Sequence, residues 1–192
     1  MNCTLMTGGN ADVGVWRIVI AMKTIIRARR QDEIDTCVVL LADVHAADGY
    51  PLHWPADPRG WLTPPMLLTA WVAEDEGALV GHVALHRAVG DAATPMWSAA
   101  AGLPAEQLVI VAQLFVSPQV RGRALGATLL ATACAEASSR GLRPALDVLD
   151  HDRAAMALYE RAGWQRVASA PAPWAVVEHG ERAVLHYYLA PG

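Results

Sequence analysis

Cysteine is scarce in this sequence. The three cysteines, Cys3, Cys37 and Cys134, lie far apart, and no two of them form a CxxC pair. An odd number of cysteines without regular spacing argues against a disulfide framework and favours a reducing, cytoplasmic location. Cysteine, histidine and acidic residues also lack the clustered spacing of a metal site, so we expect no metal.

Long apolar runs and an excess of positive charge are also missing. No stretch of about 18 uninterrupted apolar residues occurs, so we expect no membrane partner. The net charge is −4 and the pI is about 5.9, which gives no general attraction to nucleic acid. Hydrophobic residues still make up 54% of the 192 residues, enough for one globular domain with a core.

The N-terminal residues lack the basic and apolar segments of a secretory signal. We expect residues 1–21 to form a flexible extension and residues 22–192 to form a single domain. Segments 49–65 and 89–106, rich in proline, glycine or alanine, are predicted to be loops. The predicted helices begin near Asp32, Leu125 and Asp152, and the predicted strands cover residues 24–30, 69–75, 78–87, 107–116, 144–150, 164–170 and 182–190. This order indicates a mixed α/β domain.

A polar turn, VSPQVRGRALG, joins a buried strand to a predicted helix at residues 116–126. The first N–H groups of a helix have no partner within the helix and carry partial positive charge, so an anion fits there. Small residues at Gly122, Ala124 and Gly126 allow a ligand to approach the backbone. No lysine follows these glycines as in a Walker loop, and the turn comes too late in the chain for a dinucleotide fingerprint.

Downstream of this turn, the segment ALYERAGW ends a short helix before a strand. With the turn Gln119–Ala124, which has the pattern Q/R-x-x-G-x-G/A, this segment resembles the GNAT superfamily of acyl-CoA N-acyltransferases. The specific motifs lie in residues 113–164, although the element order fits over about 24–190. The resemblance implies a central, mostly antiparallel sheet of six to seven strands, flanked by about four helices. It also implies a splay between two central strands where coenzyme A binds.

The resemblance implies that acetyl-CoA is the co-substrate and that particular residues bind it. The family holds the pyrophosphate on backbone amides of the turn and pairs the pantetheine arm with the end of the central strand. In this sequence the implied contacts to the coenzyme come from Leu114, Phe115, Val116, Gln119, Arg121, Gly122, Arg123, Ala124, Leu125, Gly126, Asp152 and Tyr159. Asp152 stands where many members have asparagine, although an aspartate can still cap the helix.

Tyr159 matches the family tyrosine that faces the sulfur and acts as general acid. Gln113 stands where many members carry a basic glutamate, and it can only orient water or the acceptor. The base is therefore open. His82 and His86 share one strand face, and His86 is favoured because an imidazole suits this role. Three carboxylates are the other candidates, namely Glu74, Asp147 and Asp150.

The implied activity is transfer of an acetyl group to a primary amine of a small molecule or peptide, by direct attack in a ternary complex. The missing glutamate leaves open a non-enzymatic acyl-CoA sensor. A toxin that acetylates aminoacyl-tRNA would need a basic surface, and the acidic pI argues against it. Tyr50, Trp54 and Trp61 could form an acceptor wall or cover the core. Many family members dimerise, so the resemblance allows a homodimer.

Overall fold

The computed structural model describes residues 24–176 and 182–192. The proposed extension, residues 1–21, lies outside them. The helices are α1 (Ile34–Asp48), α2 (Pro58–Leu62), α3 (Thr94–Ala101), α4 (Leu125–Ser139) and α5 (Arg153–Arg161). The strands are β1 (Ile25–Ala28), β2 (Leu67–Asp75), β3 (Ala78–Arg87), β4 (Leu108–Val116), β5 (Arg143–Leu149), β6 (Gln165–Val176) and β7 (Arg182–Leu189). Within these residues no helix has the length and apolar character needed to cross a bilayer.

The described strands form one sheet in the order β1-β2-β3-β4-β5-β7-β6. Every neighbouring pair is antiparallel except β4 and β5, which run parallel. The predicted mixed α/β fold with a mostly antiparallel sheet is therefore confirmed. The sequence pattern located all seven strands because each is an apolar or alternating run bounded by turn residues.

Two segments that the sequence predicts as loops contain helices. Between residues 49 and 65, Pro58 starts α2, and the Asp57 side chain accepts a hydrogen bond from the Gly60 amide. Proline in the first turn and aspartate at the cap both favour a helix start. Between residues 89 and 106, the alanine-rich α3 buries Trp97 against Tyr187, with ring centroids 5.9 Å apart. Burial of one tryptophan makes this short helix stable where local pattern alone is weak.

The helices cover the two faces of the sheet separately. On one face α1, α2 and α3 pack against β2, β3, β4 and β7. On the other face α4 and α5 pack on the centre of the sheet. The predicted α4 ridge is confirmed, since Leu125, Leu129, Ala133 and Ala137 are all buried. Each central strand therefore has apolar side chains on both faces.

The feature that creates the site is a divergence of β4 from β5. The two strands pair only from Leu108 to Ile110 on β4 and from Arg143 to Ala145 on β5. Beyond Ile110, the edge of β4 that faces β5 continues to Val116 without a strand partner. β5 instead stays paired with β7 as far as Leu149. The splay implied by the resemblance is thus present.

A buried ion cluster joins β1, β2 and the start of α1. Arg27 Nη1 donates to Glu33 Oε2 at 2.9 Å, and its Nη2 donates to Glu74 Oε2 at 2.6 Å. Glu33 is only 6% exposed, and hydrogen bonding to Arg27 lowers its pKa to about 2. Glu74, one of the candidate bases, therefore serves this cluster.

Replacing Glu33 by glutamine should lower the free energy of unfolding by about 2 kcal/mol at pH 7, because it leaves a partly buried arginine without its main partner. Because the folded pKa is depressed, this stabilisation is complete above the ordinary glutamate pKa near 4.5 and disappears as the pH falls towards 2. Urea unfolding at pH 7 and pH 3 measures both effects. Asp32→Asn, at a carboxylate that is 76% exposed, is the control, and an equal loss in both variants would contradict the assignment.

Candidate active site

The divergence of β4 and β5 opens a cleft of about 910 Å³ through the centre of the fold. Its walls come from β4, β5, α5 and the segment between α1 and α2. The sequence-predicted site residues that line the cleft are His86, Gln113, Leu114, Phe115, Val116, Arg121, Gly126, Asp152 and Tyr159. The remaining predicted residues, Gln119, Gly122, Arg123, Ala124 and Leu125, belong to the adjoining turn and do not line its wall.

The turn before α4 presents a row of free backbone donors. Gly122 has φ +78° and Ala124 has φ +58°, both in the left-handed region. This geometry turns the chain sharply into the helix. Among the residues that the structure describes, none accepts a hydrogen bond from the N–H groups of residues 121–127, and the first helical bond runs from Thr128 N to Ala124 O. Such a run of unpaired amides at a helix start is suited to an anion.

The two arginines of the turn both form ion pairs within the protein. Arg121 Nη1 donates to Asp48 Oδ1 at 2.8 Å, at the end of α1 and beside the cleft. Arg123 Nη1 donates to Asp75 Oδ2 at 2.6 Å, on the side of β2. Gln119 hydrogen bonds to Ser117. The side chains that sequence analysis placed on the phosphate rim are thus engaged with protein groups, whereas the backbone donors are free.

A β-bulge in β4 shapes the middle of the cleft. Gln113 has φ +54°, and the pairing of β4 with β3 shifts by one residue at this point. Behind the bulge, His82 Nδ1 lies 2.9 Å from Gln113 O, while Arg29 Nη1 lies 2.8 Å from His82 Nε2. Since Arg29 can only donate, His82 Nε2 accepts and Nδ1–H donates to the Gln113 carbonyl. The bulge is therefore fixed by a buried side-chain relay.

His82 is excluded from the cleft by this arrangement. It is fully buried, stacks on Phe115 with ring centroids 5.0 Å apart, and does not line the cleft. Burial lowers its pKa to about 3, so the ring is neutral near pH 7. Arg29 also donates to Leu62 O at 3.0 Å. The relay consequently ties the end of α2 to the bulge.

The side chain of Gln113 faces the cleft from the bulge. Its Nε2 donates to the Trp61 carbonyl, which fixes the orientation of the amide. Gln113 is only 6% exposed. Gln113 Oε1 and His86 Nε2 are both buried and have no hydrogen-bond partner in the described part of the chain. Buried polar atoms of this kind need a hydrogen-bond partner. The two side chains are neighbours and a small movement would join them, but in the present geometry both atoms are free for a ligand or water. Burial also lowers the pKa of His86 to about 4.

Tyr159 reaches the cleft from α5 on the opposite face. The residue is 7% exposed and packs between Trp164 and Tyr188, with ring centroids 5.9 and 6.0 Å away. Its hydroxyl makes no hydrogen bond to the described residues. Burial, reinforced by the charges of Asp152 and Asp147, raises the pKa of Tyr159, so the phenol keeps its proton at neutral pH. Asp152 caps α5 by accepting from Ala155 N at 3.0 Å, as predicted.

Of the candidate carboxylate bases, only Asp147 lines the cleft. Its side chain is open to solvent there, yet the surrounding walls raise its pKa to about 6, with a smaller contribution from Asp91. Asp150 does not line the cleft. No group of three or more His, Cys, Asp or Glu suited to a metal ion occurs in residues 24–176 and 182–192. Among the bases predicted from sequence, Asp147 is consequently the one best placed to accept a proton near neutral pH.

The sequence did not indicate two parts of the site. Trp174 on β6 lines the cleft and meets His53 of the α1–α2 segment edge to face, with ring centroids 6.5 Å apart. No motif marks Trp174, because its place depends on the irregular pairing of β6 with β7 between Pro171 and Val176. Arg29, which orients His82, reads in sequence only as part of a basic strand. Trp54 packs against His45 in a tilted arrangement and does not line the cleft. Tyr50 and Trp61 do line it.

Comparison with known proteins agrees with this geometry. Solved structures with the same fold include NAA60 of Arabidopsis thaliana in complex with acetyl-CoA (TM-score 0.67, 16% identity, 88% of this chain and 100% of the other). They also include the ribosomal-protein-S18-alanine N-acetyltransferase of Escherichia coli (TM-score 0.65, 15% identity, 88% of this chain and 94% of the other). A third is yncA of Salmonella typhimurium, a putative acetyltransferase, with its cofactor acetyl-CoA (TM-score 0.65, 17% identity, 87% of this chain and 92% of the other).

The sequence comparisons give two results. No curated protein matches the chain in sequence. The profile of the acetyltransferase (GNAT) family, in contrast, matches residues 33–164, which include α1, the bulged strand, the anion turn and Tyr159. The chain therefore belongs to the GNAT family of acetyltransferases, whose co-substrate is acetyl-CoA.

Proposed function

We propose that the protein transfers an acetyl group from acetyl-CoA to a primary amine by direct attack in a ternary complex. The observation that carries this proposal is the cleft between β4 and β5. An unpaired strand edge, a protonated tyrosine and a carboxylate of raised pKa share this opening, and the free amides of the turn adjoin it. These are the groups that acyl transfer from a thioester to an amine requires.

The donor half of the cleft binds the coenzyme through the backbone. Amides from Arg121 to Gly126 hold the pyrophosphate, and small side chains leave them accessible. The pantetheine arm lies along the unpaired edge of Leu114, Phe115 and Val116, in the place of a missing strand. A backbone N–H near Phe115 or Val116 polarises the thioester carbonyl.

The reacting half of the cleft moves two protons. The amine nitrogen bonds to the acetyl carbon, and the carbon–sulfur bond breaks. The incoming ammonium loses one proton to Asp147, directly or through water, and Asp147 later releases it to solvent. Tyr159 protonates the departing thiolate, and the second proton that the nitrogen loses as the amide forms restores the Tyr159 hydroxyl. His86 was the base favoured by sequence, but with a pKa of about 4 it is a weak proton acceptor. We assign it and Gln113 to orienting the amine.

The position of Gly126 offers a test of the coenzyme site. A Cβ at this position would meet Leu158 Cδ2 at 3.5 Å and Val116 Cγ2 at 4.0 Å, which are ordinary contacts. Gly126→Val should therefore fold, but its side chain would fill the route along β4. We expect its KM for acetyl-CoA to rise about tenfold or more, a loss of at least about 1.4 kcal/mol.

The measurement is initial-rate kinetics with acetyl-CoA varied at saturating amine, alongside thermal melting. Ala127→Val, one residue further along the same helix and exposed, is the matched control and should keep the wild-type KM. An unchanged KM in Gly126→Val, with wild-type stability, would place the coenzyme elsewhere.

A further inference from the structure

The half of the cleft opposite α4 and α5 has a distinctive chemistry. We define the acceptor wall as Tyr50, Leu52, Trp61, Trp174 and Leu185, which come from the α1–α2 segment, α2, β6 and β7. All five side chains are apolar or aromatic. Tyr50 packs against Trp61 and Phe115, with ring centroids 6.2 and 6.4 Å away. Tyr50, Trp61 and Phe115 therefore form an aromatic cluster, and Leu52, Trp174 and Leu185 extend the apolar surface that suits a flat apolar group.

Three polar side chains in this half can accept hydrogen bonds, namely Gln113, Asp147 and, through one ring nitrogen, His86. Gln113 Oε1 is a buried acceptor without a partner in the described part of the chain, and its own amide is fixed by Trp61. Asp147 and His86 lie on the same sheet face, since Ile110 pairs with both His86 and Ala145, two residues before Asp147. An ammonium group, with three donors and a positive charge, matches this set.

Free positive charge is missing from the same half among the residues described. Arg121, which also lines the cleft, is paired with Asp48. Arg153 begins α5, which packs on the opposite face with α4. Arg29 lies behind the bulge and donates to His82 and Leu62. A carboxylate on the acceptor would therefore lose hydration without gaining an arginine as ion-pair partner.

We propose that the acceptor is a primary amine joined by a short aliphatic link to an aromatic or similarly flat apolar body, with no carboxylate beside the amine. The ammonium is held by Asp147, Gln113 and His86, and the body lies against the acceptor wall. This inference rests on the proposed function, because it names the substrate class of the same site. A diamine would bring a second charge against apolar side chains, and an amino acid would bring an unpaired carboxylate.

The first experiment is a comparison of acceptors at fixed, saturating acetyl-CoA. We expect kcat/KM for 2-phenylethylamine to exceed that for putrescine, phenylalanine and an alanine-initiated tripeptide by about tenfold or more. Any of the three reaching the value of 2-phenylethylamine would overturn the inference. In that case acetyl transfer itself would still be demonstrated, so the proposed function would stand.

The second experiment measures binding without chemistry, by calorimetry on the complex with coenzyme A. Asp147→Asn should weaken 2-phenylethylamine about tenfold or more while leaving the neutral 2-phenylethanol unchanged, since only the amine carries a charge. Equal effects on both ligands would overturn the ammonium site. Selective binding of the amine without any acetyl transfer would instead contradict the proposed function and leave the site standing.

The aromatic part of the inference is tested at Trp174. Trp174→Ala should weaken both 2-phenylethylamine and 2-phenylethanol about tenfold, and Trp174→Phe should restore most of the affinity. The matched control is Trp54→Ala, because Trp54 is 40% exposed against 55% for Trp174 but lies outside the cleft. Equal losses in the two alanine variants, or none in Trp174→Ala, would overturn the role of the wall.

Discussion

Tyr159→Phe is expected to lower kcat for acetyl transfer by about 100-fold, while the KM for acetyl-CoA stays nearly unchanged. The substitution removes one hydroxyl and leaves the ring between Trp164 and Tyr188. Since that hydroxyl bonds to no other described residue, its loss should cost little stability. The thiolate then has to take its proton from water, which is a weaker and less well placed acid.

The control for this variant is Tyr188→Phe. Tyr188 lies 6.0 Å from Tyr159, but its hydroxyl donates to Glu160 at 3.0 Å and does not face the cleft. This variant should lose some stability and keep its kcat. Initial rates of thiol release under saturating conditions, with melting curves for both variants, give the comparison. A wild-type kcat in Tyr159→Phe would remove Tyr159 as the acid.

Asp147→Asn is expected to lower kcat/KM for the amine by about 100-fold at pH 7, because it removes the proton acceptor. The pH profile of kcat/KM for the wild-type protein should show the titration of the same group. Desolvation by the surrounding cleft walls raises the pKa of Asp147 to about 6, so the carboxylate is the active form above this pH. We therefore expect kcat/KM to fall more steeply as the pH drops through 6. The asparagine variant should lack that bend.

Other titrating groups near Asp147 could give a similar bend in the pH profile, and variants at those groups distinguish them from Asp147. Asp91 contributes to the raised pKa of Asp147, Asp147 in turn raises the pKa of Tyr187, and His86 has a pKa of about 4. A bend near pH 4 that disappears in His86→Ala would restore the histidine as base. Asp150→Asn, outside the cleft, is the control. A bend at pH 6 that persists in Asp147→Asn would contradict the proposed role of Asp147.

Local sequence pattern was sufficient to predict the strands and the longer helices of the fold. The apolar ridge of α4 is buried as its spacing required, and the helix ends at Gly49 and Gly141 have positive φ. The anion turn was recognisable because its chemistry depends on small residues at a helix start, which are adjacent in sequence. Asp152 was identified as a cap for the same reason.

The parts that were not predictable depend on contacts between distant residues. α3 is stabilised by Trp97 against Tyr187, 90 positions away. The positive φ at Gln113 and the relay through His82 and Arg29 arise only once three strands are aligned. Asp147 resembles any strand aspartate in sequence. Its raised pKa follows from desolvation by the surrounding walls and from Asp91, groups that only the folded chain brings together.

The central claim is that acetyl-CoA bound in the β4–β5 cleft is attacked directly by an amine. The most direct measurement follows thiol release and acetylated amine in the same reaction, with and without 2-phenylethylamine and a broader amine panel. We predict that thiol release depends on the amine and equals the acetylated product mole for mole. Slow thiol release that no amine accelerates, from a protein that binds acetyl-CoA, would contradict the claim.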